Sequence, residues 1–353
     1  MNVEADGTNV FYAAVNINGT IGSWQSATPL PEAVYKHAGV TANGYLYVLG
    51  GIHYTPTTGD VISNTVYYTK INSDGSLGSW QTANPLPQAI CYLNASVWNN
   101  TIYVAGGGTE STPVNTVYSA KVQTDGSLSA WVAQTPLPYA TYAQGGIANG
   151  MLYLLGGVVT NGEYTNAVFY TQINADGTLA GWNRTTPLPQ SRSNFSAVTA
   201  NGRIFVLGGW NGTSITNSFY ITPVAGDGTV GTWVAGTSLP ASVDDLGAAV
   251  TPSYIFLSGG TGSSSYSSNV YSMSLPAPPV APTLLAGGFT NGNFQLQLTS
   301  TNNTGFGLLA STNLMTWTNV GWGFTDTNGL LHFMDTNAAG FPQRFYRAYW
   351  PLP

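Results

Sequence analysis

Five unlike polar or aromatic side chains recur at one position of this chain. Lys36, Tyr92, Asn194 and Asp245 each lie five residues beyond the proline of a Leu-Pro pair, and Tyr142 lies four beyond. Tyr35, His37, Arg192 and Asp244 flank them. Aromatic rings stack on the apolar faces of sugars while amides and carboxylates take hydroxyls, so the set suits a glycan or another small polar ligand. The same groups also serve to tie loops together and order water at any concave mouth. Asp244, Asp245, Glu32, Lys36 and His37 could supply a proton-transfer pair, but adjacent aspartates in a loop more commonly cap or meet solvent. A second set stands on longer connections: His53, Tyr54, Glu110, Glu163, Tyr164, Trp210 and Tyr266.

Other chemistries are excluded by what is scarce. Three histidines (His37, His53, His332) and a single cysteine, Cys91, leave no zinc motif, no internal disulfide and little from which to build a Ser-His-Asp triad. No phosphate-binding glycine loop occurs, and neither metal nor cofactor is expected. The net charge of −6 comes with no run of Lys or Arg, which argues against nucleic acid. No apolar stretch approaches ~18 residues, so membrane insertion is not expected. Only 6% of residues are charged, against about a quarter in ordinary globular proteins, which points to an extracellular or cell-surface life. Met1 to Phe11 carry no signal-peptide pattern, so an export signal would lie upstream.

An internal repeat must position these residues. Trp24, Trp80, Trp131, Trp182 and Trp233 recur at spacings of 56, 51, 51 and 51, each followed by a Leu-Pro pair. Each unit holds a glycine pair: Gly50-Gly51, Gly106-Gly107, Gly156-Gly157, Gly208-Gly209 and Gly259-Gly260. A unit reads as four short strands. The first turns at Asn-Gly (Asn43-Gly44, Asn149-Gly150, Asn201-Gly202) into an apolar second strand that ends at the glycine pair. The third follows an Asn and turns at Asp-Gly (Asp74, Asp125, Asp176, Asp227) into a fourth strand expected to end at the Trp. The periodic tryptophans are expected to pack units together. One carboxylate per Asp-Gly turn is too few for calcium, which wants six or more oxygens.

Four-stranded units at this period, with paired glycines and a later Trp, resemble Kelch repeats and the propeller domain of galactose oxidase over about residues 8 to 275. The resemblance implies an all-β protein, a Kelch-type β-propeller over residues 1–275. Third strands number six and the other types five each, so a six-bladed ring, N-terminally incomplete as given, is preferred over a five-bladed ring with a redundant strand. A Pro-rich linker spans 276–283. Residues 284–353 look like the small C-terminal β-sandwich modules of exported bacterial proteins.

The resemblance also brings activities to test. Galactose oxidase chemistry needs histidine and tyrosine ligands and a Cys-Tyr cross-link to copper; Cys91 beside Tyr92 with no His pair argues against it. Sialidases need three clustered arginines, and Arg203 lies beside a hairpin turn on the wrong face. Sialic acid epimerases of the Kelch type, which use acid–base residues in the funnel, are nearer. The Asn-Gly and Asp-Gly turns close one end of the blades, leaving the end with the longer, more variable loops for binding. The expected function is therefore a secreted or surface-displayed, non-catalytic binding protein whose funnel recognises a glycan or an extracellular protein. The alternatives are a carbohydrate-active enzyme, epimerase-like or glycosidase-like, and a purely structural surface repeat.

Overall fold

The computed structural model describes residues 7–349 apart from 56, 58, 110, 263–264, 276–281, 302–304 and 315–316. Almost all regular structure is antiparallel β-sheet, the exception being one 3-10 turn at Ala338–Gly340. Blade 1 pairs Ala38–Ala42, Tyr45–Leu49, Val66–Lys70 and Gln81–Thr82 in that order. Blades 2, 3 and 4 repeat the order over 94–133, 144–185 and 196–235. Blade 5 has three strands, Gly247–Val250, Tyr254–Ser258 and Val270–Ser274, and a two-stranded sheet pairs Phe11–Tyr12 with Gln25–Ser26.

First strands of successive blades, from blade 1 to blade 5, lie side by side and form an inner wall. Second strands are covered on both faces, which is why Thr101–Ala105 and Met151–Leu155 are buried throughout and, Thr101 apart, apolar. Blades are stitched at one end by side chains of fixed register. The Tyr47, Tyr103 and Tyr153 hydroxyls donate to Gly126, Gly177 and Gly228 of the next blade's turn at 2.6, 2.9 and 2.8 Å. The indoles of Trp80, Trp131, Trp182 and Trp233 donate back to Thr28, Asn84, Thr135 and Thr186 at 2.9–3.2 Å. The tryptophans thus join neighbours by hydrogen bonding as well as by packing.

Two local expectations need correction. The fourth strand follows the Trp instead of ending there: Gln81–Thr82, Val132–Ala133 and Val234–Ala235 come just after it. An Asx turn comes first, with Asp74 Oδ1 accepting from the amide and hydroxyl of Ser76; Leu77 then bridges Ile71, and the Trp80 indole reaches across to the neighbouring blade before strand pairing resumes at Gln81. The segment Ile52 to Ser63, expected to be a loop, is mostly a hairpin of Ile52–Thr55 and Gly59–Ile62, to which Val34–Tyr35 adds a third strand. Its β-branched Ile52, Val61 and Ile62 favour pairing, and Gly59 takes the positive φ of the turn.

Beyond residue 281 two three-stranded sheets form. One joins Thr283–Thr290, Asn293–Thr299 and Leu330–Asp335, the other Thr318–Phe324, Gly305–Ser311 and Phe345–Tyr349. Leu296, Leu298 and Phe333 from the first meet Phe306 and Leu308 from the second in a common core. Most of the expected linker, residues 276–281, lies outside the described residues.

Candidate functional site

The end of the blades opposite the Asp-Gly turns carries the Leu-Pro arms that lead into each first strand. Immediately before that strand Lys36, Tyr92, Asn194 and Asp245 hold left-handed backbone, with φ of 54°, 53°, 53° and 51°. A lysine, a tyrosine and an aspartate in this region cost about 1–2 kcal/mol each, a cost glycine would avoid. The ring is tied through the backbone: the Tyr92 amide donates to Lys36 O at 2.9 Å and the Asp245 amide to Asn194 O at 2.8 Å.

Tyr142 departs from this pattern and keeps negative φ. Its loop is one residue shorter, so Thr141 O takes the Gly107 amide as Ile90 O takes that of Gly51, and the Tyr142 amide bonds Val158 O as Cys91 bonds Gly108 O. The left-handed residue is the one deleted. Even so the ring of Tyr142 meets that of Tyr92 edge-on, with centroids 5.5 Å apart at 65°.

Side-chain contacts bring Tyr35, Lys36, Tyr92 and Tyr142 together, with Asp245 near Lys36. The Lys36 ammonium lies 4.7 Å from the Tyr92 centroid and 5.2 Å from that of Tyr35, a cation–π arrangement. Asp245 feels three influences: burial and then the Asp244 charge raise its pKa, and Lys36 partly offsets them. Asp244 is 9% exposed, its Oδ1 has no hydrogen-bond partner, and burial raises its pKa too. His37 reaches solvent on one side, yet the protein crowding it favours the neutral ring; desolvation, with His53 nearby, lowers its pKa against an opposing bond to the Val34 backbone.

Other predicted residues are placed elsewhere or otherwise engaged. Arg192, expected on the rim, is fully buried. It stands in the register of Val34, Ile90 and Val243, which point between blades. Its Nη1 donates to Gly208 O at 2.5 Å, its guanidinium lies 5.2 Å from the Tyr220 centroid, and Nε and Nη2 have no partner. His53 is buried as well, its Nδ1 2.6 Å from Glu32 and its ring stacked on Tyr67. Burial and Glu32 push the Tyr67 hydroxyl up to about 12. This Glu32–His53–Tyr67 group had no sequence signal beyond residue type, because its members meet only through the unforeseen hairpin.

Trp210 is half-buried with its Nε1 unpartnered, bridging Ser193 and Ile215 through its backbone. Tyr54, Glu163, Tyr164 and Tyr266 are exposed, and Glu110 lies outside the described residues. Among the described residues no three His, Cys, Asp or Glu side chains gather as a metal site. A small cavity lined by Tyr139, Thr141, Ala143 and Phe169 measures about 10 Å3, room for one water.

Comparison with known proteins finds a Kelch motif at residues 191–221. The chain is 28% identical to Kelch-like protein terF of Aspergillus terreus over 278 residues, covering 70% of this chain and 55% of that one. It is 26% identical to Kelch-like protein 40 of Mus musculus over 53% of this chain and 29% of that one. It is also 28% identical to Kelch repeat and BTB domain-containing protein 12 of Homo sapiens, over 47% and 28%. The chain thus spans about half or less of the length of these curated relatives. The solved structure of YjhT superposes with a TM-score of 0.61 at 16% identity, covering 85% of this chain and 95% of that one, which shows the Kelch-type β-propeller fold.

Proposed function

We propose that this Kelch-type propeller is a non-catalytic binding protein that receives a protein or glycan at the mouth formed by Lys36, Tyr92, Tyr142, Asn194 and Asp245. The observation that carries the reading is that one register position holds the strained, unlike side chains of Lys36, Tyr92, Asn194 and Asp245, and that Lys36 and Tyr92 there meet each other and the neighbouring Tyr142 ring. Strain at a position where glycine would sit freely is expected where the side chain itself is needed. Two adjacent tyrosines and an ammonium give a rigid amphipathic platform for a protein loop or a pyranose face.

Catalysis has weaker support. His53 is held by Glu32 and stacked on Tyr67, which leaves Asp244 and Asp245 as the acid–base candidates, with Lys36 their neighbour. The raised pKa of both carboxyls is the one observation favouring the second reading, a carbohydrate-active enzyme. An extracellular setting, with the C-terminal sheets serving as spacer or attachment, accords with a surface solvated by Asn, Thr and Ser in place of charge.

The test is binding to glycan and peptide arrays by the whole chain beside a Tyr92→Ala/Tyr142→Ala variant that keeps its melting profile. Binding to either array that the variant loses supports the mouth as the site. Equal binding by both proteins, or none by either, rejects it, and turnover of a bound glycan that Asp244→Asn abolishes would move the protein to the enzyme reading.

A further inference from the structure

Charge divides the two ends of the propeller. Among the described residues Glu32, Asp60, Glu163 and Asp245 are exposed on the arms and connections of the mouth end, and Asp244 lies among them under cover. The cations are elsewhere. Of the eight Lys and Arg, Lys70, Lys121 and Arg203 stand at strand ends beside the hairpin turns, and Arg184 lies on an outermost strand. Arg344 and Arg347 belong to the sheets beyond residue 281, and Arg192 is fully buried. That leaves Lys36 to face the mouth.

Its ammonium is held as a bound cation would be. It lies 4.7 Å from the Tyr92 centroid and 5.2 Å from that of Tyr35, and the Tyr142 ring buttresses Tyr92 edge-on. Ring faces carry partial negative charge and attract cations. Asp245 is close enough to feel the Lys36 charge. Aromatic faces backed by a carboxylate make a seat for an ammonium or a guanidinium.

The seat is nevertheless short of positive charge. Asp244 and Asp245 share one lysine, Asp244 Oδ1 has no hydrogen-bond partner, and Glu32 is taken by His53. Burial and then the Asp244 charge raise the Asp245 pKa in spite of Lys36, and burial raises that of Asp244. His37 does not make up the difference, because desolvation favours its neutral ring.

We propose that the mouth receives a Lys or Arg side chain from an extended basic segment of a partner protein, and that Lys36 is this chain's own stand-in for that cation, a specification that rests on the mouth being the binding site. An incoming guanidinium is more weakly hydrated than an ammonium, stacks on the Tyr92 face and offers a planar fork of donors to a carboxylate. Lys36 yields its place on a flexible four-carbon stem, which also removes like-charge repulsion. The partner is a segment rather than a lone amine because Asp60, Glu163 and the Asp244-Asp245 pair belong to the connections of blades 1, 3 and 5. Meeting them takes several cations spaced along one chain.

Fluorescence anisotropy on the whole chain at physiological salt tests this, with a labelled peptide of Gly-Arg-Ser repeats beside a twin in which citrulline replaces arginine. The expected result is saturable binding of the arginine peptide and none of the twin. Lys36→Met should tighten that binding about tenfold by emptying the seat, and Asp245→Asn should weaken it about tenfold. Asp176→Asn, which removes one charge at the hairpin end, should change it less than about twofold. Equal binding of the citrulline twin, or none of either peptide, overturns the proposal. So does a Lys36→Met variant that binds no tighter, or an Asp176→Asn variant as damaged as Asp245→Asn, which would reduce the attraction to net charge. Should Lys36→Met not fold, Lys36→Gly, at ease with the left-handed φ, carries the same expectation. The mouth itself is judged apart: an uncharged or acidic array ligand that the Tyr92→Ala/Tyr142→Ala variant loses keeps the mouth as the binding site and removes only the basic partner.

Discussion

The two ends of the blades solve the same geometric problem with opposite chemistry. At the hairpin end a tight turn recurs with the same residues: Asp74, Asp125, Asp176 and Asp227 each accept from the amide and hydroxyl of the Ser or Thr two residues on. At the mouth end a left-handed residue recurs with the backbone held and the side chain varied, as Lys, Tyr, Asn and Asp. Where one side chain performs one structural task, repetition follows from the fold. Variation at a strained position needs a reason outside the fold, and on that contrast rests the proposal that the mouth serves recognition while the hairpin end serves stability.

The comparison breaks first if the hairpin end proves dispensable. Trp182→Ala removes an indole that packs between blades and donates to Thr135 O at 3.0 Å, so denaturant unfolding should show a loss of about 3 kcal/mol or more. A loss below that of Tyr92→Ala would reverse the assignment. Arg192→Met is expected to run the other way. The guanidinium is fully buried with two nitrogens unpartnered where other units place Val34, Ile90 and Val243, so an apolar residue of similar length should stabilise by about 1–4 kcal/mol. A destabilised variant would mean that the cation has a partner to satisfy. Asp245→Gly relieves left-handed strain and should gain about 1 kcal/mol in thermal melts while losing ligand; unaltered binding would remove Asp245 from the site.

Much of this is legible in the sequence. Period, glycine pairs and Asn-Gly turns are local signals, so the blades and the register of the mouth followed from spacing. Arg192 departs from its expected place because register fixes a position along the chain and says nothing of which way a side chain leaves it; two residues before the mouth row the chain faces the core. His53 and Tyr54, expected on a longer variable loop, lie on a hairpin that is drawn out in this unit, whereas the other units keep only isolated bridges at the same place. Tyr142 was matched by counting back one residue, which put its ring in the right place and hid the loss of the left-handed backbone.

Acidity offers the finest separation of the two ends, because their carboxylates shift in opposite directions. Hydrogen bonds from the Ser or Thr side chain and amide lower the pKa of Asp74, Asp125, Asp176 and Asp227. Their folded pKa lies below the unfolded value of ~3.9, so the stability they give is present above that value and lost as pH falls through the folded pKa. Burial raises the pKa of Asp244; its contribution is fully present below the unfolded pKa and fades as pH climbs through the folded one. Asp176→Asn should therefore destabilise at pH 7 and converge on the parent in acid, whereas Asp244→Asn should stabilise at pH 7 and lose that advantage in acid. Melting both variants from pH 7 down to pH ~3 checks the pair. Slopes of the same sign would mean that the mouth carboxyl is already matched by a cation such as Lys36, and that its unpartnered oxygen is not held in reserve for a ligand.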